Sequence, residues 1–475
     1  MRLMLLPIDS RPCNTAFVEK LARHAGAECV MPEREKMDLF RRPSRWKDRL
    51  AFAKRELPRC DAAVISLDQW CYGSLLASRE EDVDPDEAME RISALEELLR
   101  QTGDTKVYLN SVLLRTSISV FDASDLALHE AVLEYSQAYD LDDREHSDES
   151  AKRLEAAAAR LPEKLRLKLH RVRDRNRYVN LSALGLLKRG LVKQLSLLQE
   201  DSQPYGLHKL DQRVIAGKLT WQTVGRAFLR NGTDEADAMQ AARASLDNAP
   251  AVPVDVVWLG DRSFTAIYED RPFCENLKTG LLEAGLVESS DSDTVICVCC
   301  PPDGIQKEAF RYDPDAEYHA ACARRIDALA ATGKRVYLLD VICANGGAKG
   351  LLKSLSDPDT LWGYSAWNTA SNSMGTLLAQ IVTDALAGKK NEGFFEERIL
   401  DDFCYQSHIR AILQEKLTAL GENIYALRHP NKAQAMLEKL YDQELNSIWP
   451  LRRMPRYRVS LPWPRTFEVE ALASG

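Results

Sequence analysis

The chain has 475 residues, of which 45% are hydrophobic and 28% charged, with a formal net charge of -8. This is the composition of a folded globular protein; the length exceeds one small core and suits one large barrel with additions, or two to three domains. The acidic balance argues against a nucleic-acid partner or an anionic membrane surface.

The N-terminus, MRLMLLPIDSRP, holds a short apolar run that stops at Pro7 and Asp9. A signal peptide needs a longer apolar stretch and a small-residue cleavage site, so residues 3–8 read as a buried strand, followed by a helix near 15–24. Further strand-like runs occur at 62–67 (AAVISL), 106–114 (KVYLNSVLL), 194–198 (QLSLL) and 227–229. Helical segments are expected at 85–101, 123–139, 148–170, 175–189 and from Thr233. The basic stretch 164–177 reads as a solvated helix face, because no aromatic residues interleave as in a stacking platform. Later strands are expected at 254–259, 294–300 (TVICVCC), 335–342 (RVYLLDVI) and 361–367 (LWGYSAW), with a helix through Ala387. Residues 391–475 turn mostly helical and end in an extended tail. No run approaches the ~18 apolar residues that span a bilayer.

The eleven cysteines include Cys297, Cys299 and Cys300 in one apolar run. Neighbours on a strand alternate between faces and no His is close, so these read as reduced, buried thiols and not as a zinc site. A cytoplasmic protein without metal or cofactor is expected.

Alternating strands and helices imply parallel sheet with crossover helices. The favoured fold is α/β: a TIM-like (β/α) barrel over residues 1–390, with an inserted or appended α/β lobe near 250–315 and the helical C-terminal region 391–475. Two Rossmann-like lobes with the site between them are the second choice. No fixed-period repeat is visible.

Nearly every strand ends in a polar cluster. These clusters contribute Asp9 and Arg11; Asp68, Tyr72 and Arg79; Arg115; Glu200 and Asp201; Asp234 and Glu235; Asn345; and Trp367, Asn368 and Asn372. In parallel α/β folds the carboxyl ends of the strands share one side of the sheet, so such loops converge. Carboxylates, amides and guanidinium groups bind hydroxyls, and aromatic faces pack on sugar rings. Trp70, Tyr72, Tyr205, Tyr364 and Trp367 are the candidate platform. Glycoside hydrolysis needs two carboxyl functions, or one plus a substrate nucleophile. The pair Glu200-Asp201, in a Pro- and Gly-containing loop, fits that need, whereas Asp234-Glu235 also suits a first helical turn. His208 reads as a surface residue at a helix start. Neither a G-x-S-x-G elbow nor a P-loop is present. A divalent-metal hydrolase using Asp9, Asp68 and Asp201, and a non-catalytic sugar-binding protein, are the alternatives.

Seven segments carry a resemblance: PIDSRP (7–12), SLDQWCYGSLLASR (66–79), RDRNRYVN (173–180), LLQEDSQPYG (197–206), NGTDEADAMQAARA (231–244), ANGG (344–347) and GYSAWNTASNSMG (363–375). Together they resemble the bacterial family called domain of unknown function 4127, over roughly residues 1–470, and bring Asn176 into the candidate set. The chain departs from the family pattern at Glu200, where two aspartates are usual, and at Ala348, where an acid often follows Asn-Gly-Gly. A looser likeness is to glycosidases that use the substrate's acetamido group as nucleophile and carry two consecutive acids after a barrel strand. It implies that Glu200 polarises the acetamido group and Asp201 protonates the leaving oxygen, while Trp367 and Asn368 bind the sugar.

Overall fold

The computed structural model describes residues 1–312 and 315–474. Residues 313, 314 and 475, which fall in the expected lobe and tail, lie outside the described set. The chain divides into two compact units, one mainly before Ala244 and one mainly after it.

The first unit is built on a six-stranded sheet of β1 (Arg2–Leu6), β2 (Glu28–Val30), β3 (Ala62–Ser66), β4 (Lys106–Leu113), β5 (Gln194–Gln199) and β6 (Ala227–Asn231). Its order is β2-β1-β3-β4-β5-β6 and every pairing is parallel. β3 and β5 are buried along their whole length, which is why they read as unbroken apolar runs. Helices Trp46–Glu56, Pro85–Gln101 and Glu163–Lys188 contribute buried residues to the core that this sheet shares.

The second unit has a five-stranded sheet of β7 (Val252–Leu259), β8 (Leu286–Glu288), β9 (Thr294–Cys299), β11 (Arg335–Asp340) and β13 (Gly363–Ser365), in the order β13-β11-β9-β7-β8. All of its pairs are parallel too. Two short strands, β10 (Lys307–Glu308) and β12 (Cys343–Ala344), pair beside it in sequence. The C-terminal tail forms an antiparallel hairpin of β14 (Arg456–Ser460) and β15 (Glu470–Ser474). Cys297 and Cys299 lie buried in β9, and Cys300 just after it is a buried free thiol.

The barrel expectation is corrected by this topology, because no sheet among the described residues closes on itself. β2 lies on one side of β1 while β3 lies on the other, and β8 and β9 flank β7 in the same way. Each sheet therefore grows in two directions and ends in two edges. A barrel needs strands added on one side until the last meets the first. Both sheets are open and doubly wound, with a switch point between β1 and β3 and another between β7 and β9. In such sheets the crevice outside the strand carboxyl ends at the switch point is the habitual binding place.

Local signals set the helix ends. Asp84 caps the helix Pro85–Gln101 by accepting from the Glu87 amide, and Pro85 opens it; a cap of this kind stabilises a helix by about 1 kcal/mol. The expected division near residues 170–175 is absent. One helix runs unbroken over Glu163–Lys188, and the break falls before it, where Pro162 is the N-cap. Proline cannot donate inside a helix and is tolerated at its start. No helix among the described residues is long and apolar enough to cross a membrane.

Candidate active site

The carboxyl end of β1 is fixed first. The Ile8 amide donates to Asp237 Oδ2 at 2.7 Å, and the next turn places Asp9 and Arg11 side by side. The Arg11 guanidinium bridges two carboxylates: Nε and Nη2 bind Asp9 Oδ2 at 2.9 and 2.7 Å, while Nη1 and Nη2 bind the two oxygens of Asp234 at 2.8 and 2.6 Å. Asn14 donates to Asp9 as well, at 2.8 Å. All three charged groups are buried. Burial alone would raise the Asp9 pKa, but the Arg11 charge and these hydrogen bonds bring it below the usual carboxylate value. Burial dominates at Asp234 and raises it, with Asp9 and Glu200 adding to the shift. A planar arginine suits this double bidentate grip, which lysine cannot reproduce.

Glu200 and Asp201 follow β5. Glu200 is held by Arg79, from the loop after β3, and its second carboxylate oxygen is buried with no hydrogen-bond partner among the described residues. Asp201 is held at 2.5 Å by Arg115, from the end of β4. Arg79 also binds Ser119 at 2.5 Å. Burial lowers the Arg79 pKa, partly offset by Glu200, whereas at Arg115 the charges of Asp201 and Glu200 outweigh burial and raise it. The same interactions reach Arg11 and Asp234, so the Arg11 knot and the two arginine–acid pairs form one neighbourhood.

The loop that carries these acids is tied at several points. Thr116 N–H donates to the Asp201 carbonyl at 3.0 Å, Ser202 N–H to the Tyr268 carbonyl at 2.8 Å, and Gly206 N–H to Asp140 at 3.1 Å. Gly206 sits at φ 146, and a Cβ there would lie 2.7 Å from Thr116 Cγ2. Only glycine accepts that backbone and that contact.

The sequence reading missed Asp38 and Asp270 in this region and set His208 on the surface. Asp38, after β2, accepts from Ser10 at 3.3 Å and Gln69 at 3.2 Å; burial, reinforced by the Asp9 charge, pushes its pKa up to about 8. His208 is buried, not on the surface. Its Nδ1 lies 3.1 Å from Thr116 Oγ1 and its Nε2 3.4 Å from Asp270. Burial lowers the His208 pKa, against the pull of Asp270. Sequence distances of 28 to 92 residues hid these partners, and no local spacing signals them.

Several expected sugar contacts have other tasks. Asp68 is buried, accepts from the Val112 amide at 2.8 Å, and is pushed up to about 7 by burial. Asn176 donates to the Ser78 carbonyl at 3.0 Å and accepts from Arg175, which stabilises the loop that carries Arg79. Glu235 forms a fully buried pair with Arg230 and accepts from the Thr233 amide at 2.9 Å. The aromatic platform is corrected: Trp70, Tyr72, Tyr364 and Trp367 are buried in packing contacts, and only Tyr205 is exposed. Arg175 lies 4.3 Å over the Tyr72 ring.

The second unit gathers its own candidates. The Asn345 amide donates to the Asn368 carbonyl at 2.7 Å, and both asparagines adopt positive φ, 57 and 52. Asn345 also donates to Glu308 at 2.9 Å. Thr369 caps the helix Ala370–Ala387 by accepting from the Asn372 amide, and donates to the Asn372 side chain at 2.7 Å. Trp367 donates its indole N–H to Thr376 at 3.1 Å. The glycines between are required by contact, since a Cβ on Gly347 would meet the Tyr364 hydroxyl at 1.9 Å. Ala348, where an acid was expected, is buried and donates its amide to Asp340 at 2.9 Å.

Six of the seven segments noted as motifs are thus strand ends and helix starts, while RDRNRYVN (173–180) lies within the helix Glu163–Lys188. The chain belongs to the family described as Protein of unknown function (DUF4127). That family's model matches residues 3–471. No curated protein and no solved structure matches the chain. Among the described residues, no group of three or more His, Cys, Asp or Glu side chains is placed to hold a metal ion. Asp9, Asp68 and Asp201, the proposed Mg²⁺ ligands, are bound instead to Arg11, the Val112 amide and Arg115.

Proposed function

We propose that the protein is a glycoside hydrolase acting on a small or terminal sugar, with Glu200 and Asp201 as its reactive carboxylates. The observation that carries this reading is the pair itself. Two consecutive acids at a strand carboxyl end are gripped by two arginines from two different loops, beside a cavity of about 320 Å³ that the same arginines line. Their environments differ. The Asp201 side chain is 34% exposed and can exchange protons with solvent, whereas that of Glu200 is 6% exposed. Unequal environments let two carboxylates take different roles.

Arg115 holds Asp201 in the free protein, so the acid role requires the substrate to take over that arginine. In the substrate-assisted version, Glu200 orients the acetamido group while Asp201 serves the leaving oxygen. Removal of a general acid–base costs about 10²–10⁴-fold in rate. Asp201→Asn is expected to lose at least ~100-fold of its turnover across a panel of aryl glycosides. Unchanged turnover in that variant overturns the assignment.

A further inference from the structure

The cavity beside the acid pair has its charges already matched. Arg79 holds Glu200, Arg115 holds Asp201, Lys168 holds Glu80 and Arg173 holds Asp211. Asp125 accepts from the Phe121 and Asp122 amides at 2.9 and 3.0 Å, and Ser117 donates to the His129 carbonyl at 2.7 Å. Arg41 is the exposed exception. It makes no ion pair among the described residues, and its guanidinium lies 4.6 Å over the Phe121 ring. The Nε atoms of Arg79, Arg115 and Arg173 lack a hydrogen-bond partner among the described residues, but they are buried from solvent and so out of a guest's reach.

Six apolar side chains complete the wall: Leu114, Ile118 and Phe121 from the segment after β4, and Leu165, Leu169 and Val172 from the helix Glu163–Lys188. The last three stand at i, i+4 and i+7 and share one helix face. Ile118, Phe121, Leu165 and Leu169 are only half-buried, so this wall keeps apolar surface in contact with water. A polar guest would give up its own hydration and find the wall's charges already engaged. An apolar guest releases water from both surfaces. The volume of about 320 Å³ suits one ring or a short chain. Arg79 and Arg115 line the cavity and also hold Glu200 and Asp201, so a guest there lies against the grip on the reactive pair.

We propose that this cavity takes the leaving group of the substrate, and that this aglycone is an uncharged aromatic or short alkyl group and not a second sugar. The word aglycone rests on the glycoside hydrolase reading; the preference for an apolar group rests on the lining of the cavity. A second sugar would bring several hydroxyls that each need a partner, which a wall of paired charges and six apolar side chains does not offer.

Calorimetric titration of the full chain with phenyl and methyl glycosides of the same sugars tests the preference without an activity readout. The phenyl compound should bind about tenfold or more tighter than its methyl counterpart, with little dependence on salt. Leu169→Gln and Ile118→Gln each set an amide in the apolar wall and should reduce that preference several-fold, while circular dichroism verifies that the variants fold. Equal affinity for the two glycosides, no binding of either at millimolar concentration, or an unchanged preference in both folded variants overturns the proposal. Turnover of the same compounds separates this inference from the reading beneath it. Cleavage without a phenyl preference sinks the apolar subsite and leaves the hydrolase. A phenyl preference without cleavage leaves the apolar site and sinks the hydrolase, and with it the word aglycone.

Discussion

The two parallel sheets share one strand order, yet their polar edges differ. In the first unit the groups after the strands bind one another: Arg11 holds Asp9 and Asp234, Arg79 holds Glu200, and Arg115 holds Asp201. In the second unit they bind mainly backbone. Asp340 accepts from the Ala348 amide, Thr369 caps a helix, and at the switch point Asp261 accepts from Ser263 within its own turn. Exposed Asp303 pairs with Lys307 and accepts from the Ile305 amide. One topology thus carries buried charges on the strand-end loops in one unit, whereas in the other the buried charges, Arg398 with Asp401 and Asp402, sit on a helical segment and the strand-end loops hold turn and cap residues. Buried, mutually perturbed charges mark functional sites more often than caps do. The chemistry proposed above is accordingly assigned to the first sheet.

The largest effect that breaks this contrast is removal of Arg11. Arg11→Met leaves Asp9 and Asp234 buried without their partner, and breaking a buried pair in this way costs about 3–5 kcal/mol. Urea unfolding should show that loss, and a cost below ~1 kcal/mol would mean the knot is not the structural centre of the first unit. Gly206→Ala comes next. The left-handed backbone and the close Thr116 contact together predict a cost of about 1–3 kcal/mol. It should come with a loss of the proposed turnover, since the same loop carries Glu200 and Asp201.

Much of this was legible in the sequence. The strands buried on both faces announced themselves as apolar runs, and the parallel rule gathered their polar ends. The three-residue strands β2 and β8 did not, because five of their six residues reach solvent and carry no two-sided pattern. Those two strands decide whether the sheets close, so the barrel expectation failed at the point where the signal was weakest. Site residues followed the same division. Asp9, Arg11, Glu200 and Asp201 stand next to strand ends and could be named. Asp38 and the His208–Asp270 pair matter through contacts that the fold alone creates. Aromatic residues misled, since a tryptophan in a core and one on a sugar platform look the same in one dimension. The shared strand order of the two units left no repeat in the sequence, because topology constrains where strands lie and not which side chains they carry.

A pH titration sharpens the electrostatic half of the comparison. Burial and the Asp9 charge raise the folded pKa of Asp38 from its ordinary 3.8 to about 8. Between those values the folded state keeps a proton that the unfolded state has lost, so stability falls as pH rises through that window. Asp38→Asn removes the titration and mimics the protonated form. The variant should match the parent near pH 4 and exceed it by on the order of a few kcal/mol above about pH 8. A parent that gains stability over the same range would contradict the burial argument. Denaturant titrations at three pH values decide it.

The smallest effect tests the second unit. Asn345 and Asn368 occupy left-handed conformations that glycine adopts without steric cost, and each makes its mutual contact through backbone atoms. If they are turn residues, Asn368→Gly should change stability by less than ~1 kcal/mol, because relief of strain is balanced by the greater freedom of the unfolded chain. Asn345→Gly should cost slightly more, since it also removes the hydrogen bond to Glu308, a charge-assisted contact of about 1.5–3 kcal/mol at most. Sugar binding by this turn would appear differently: Asn368→Gly would leave the melting temperature alone and abolish a ligand-induced rise in it. That outcome would move part of the site into the second unit and erase the division of labour drawn between the sheets.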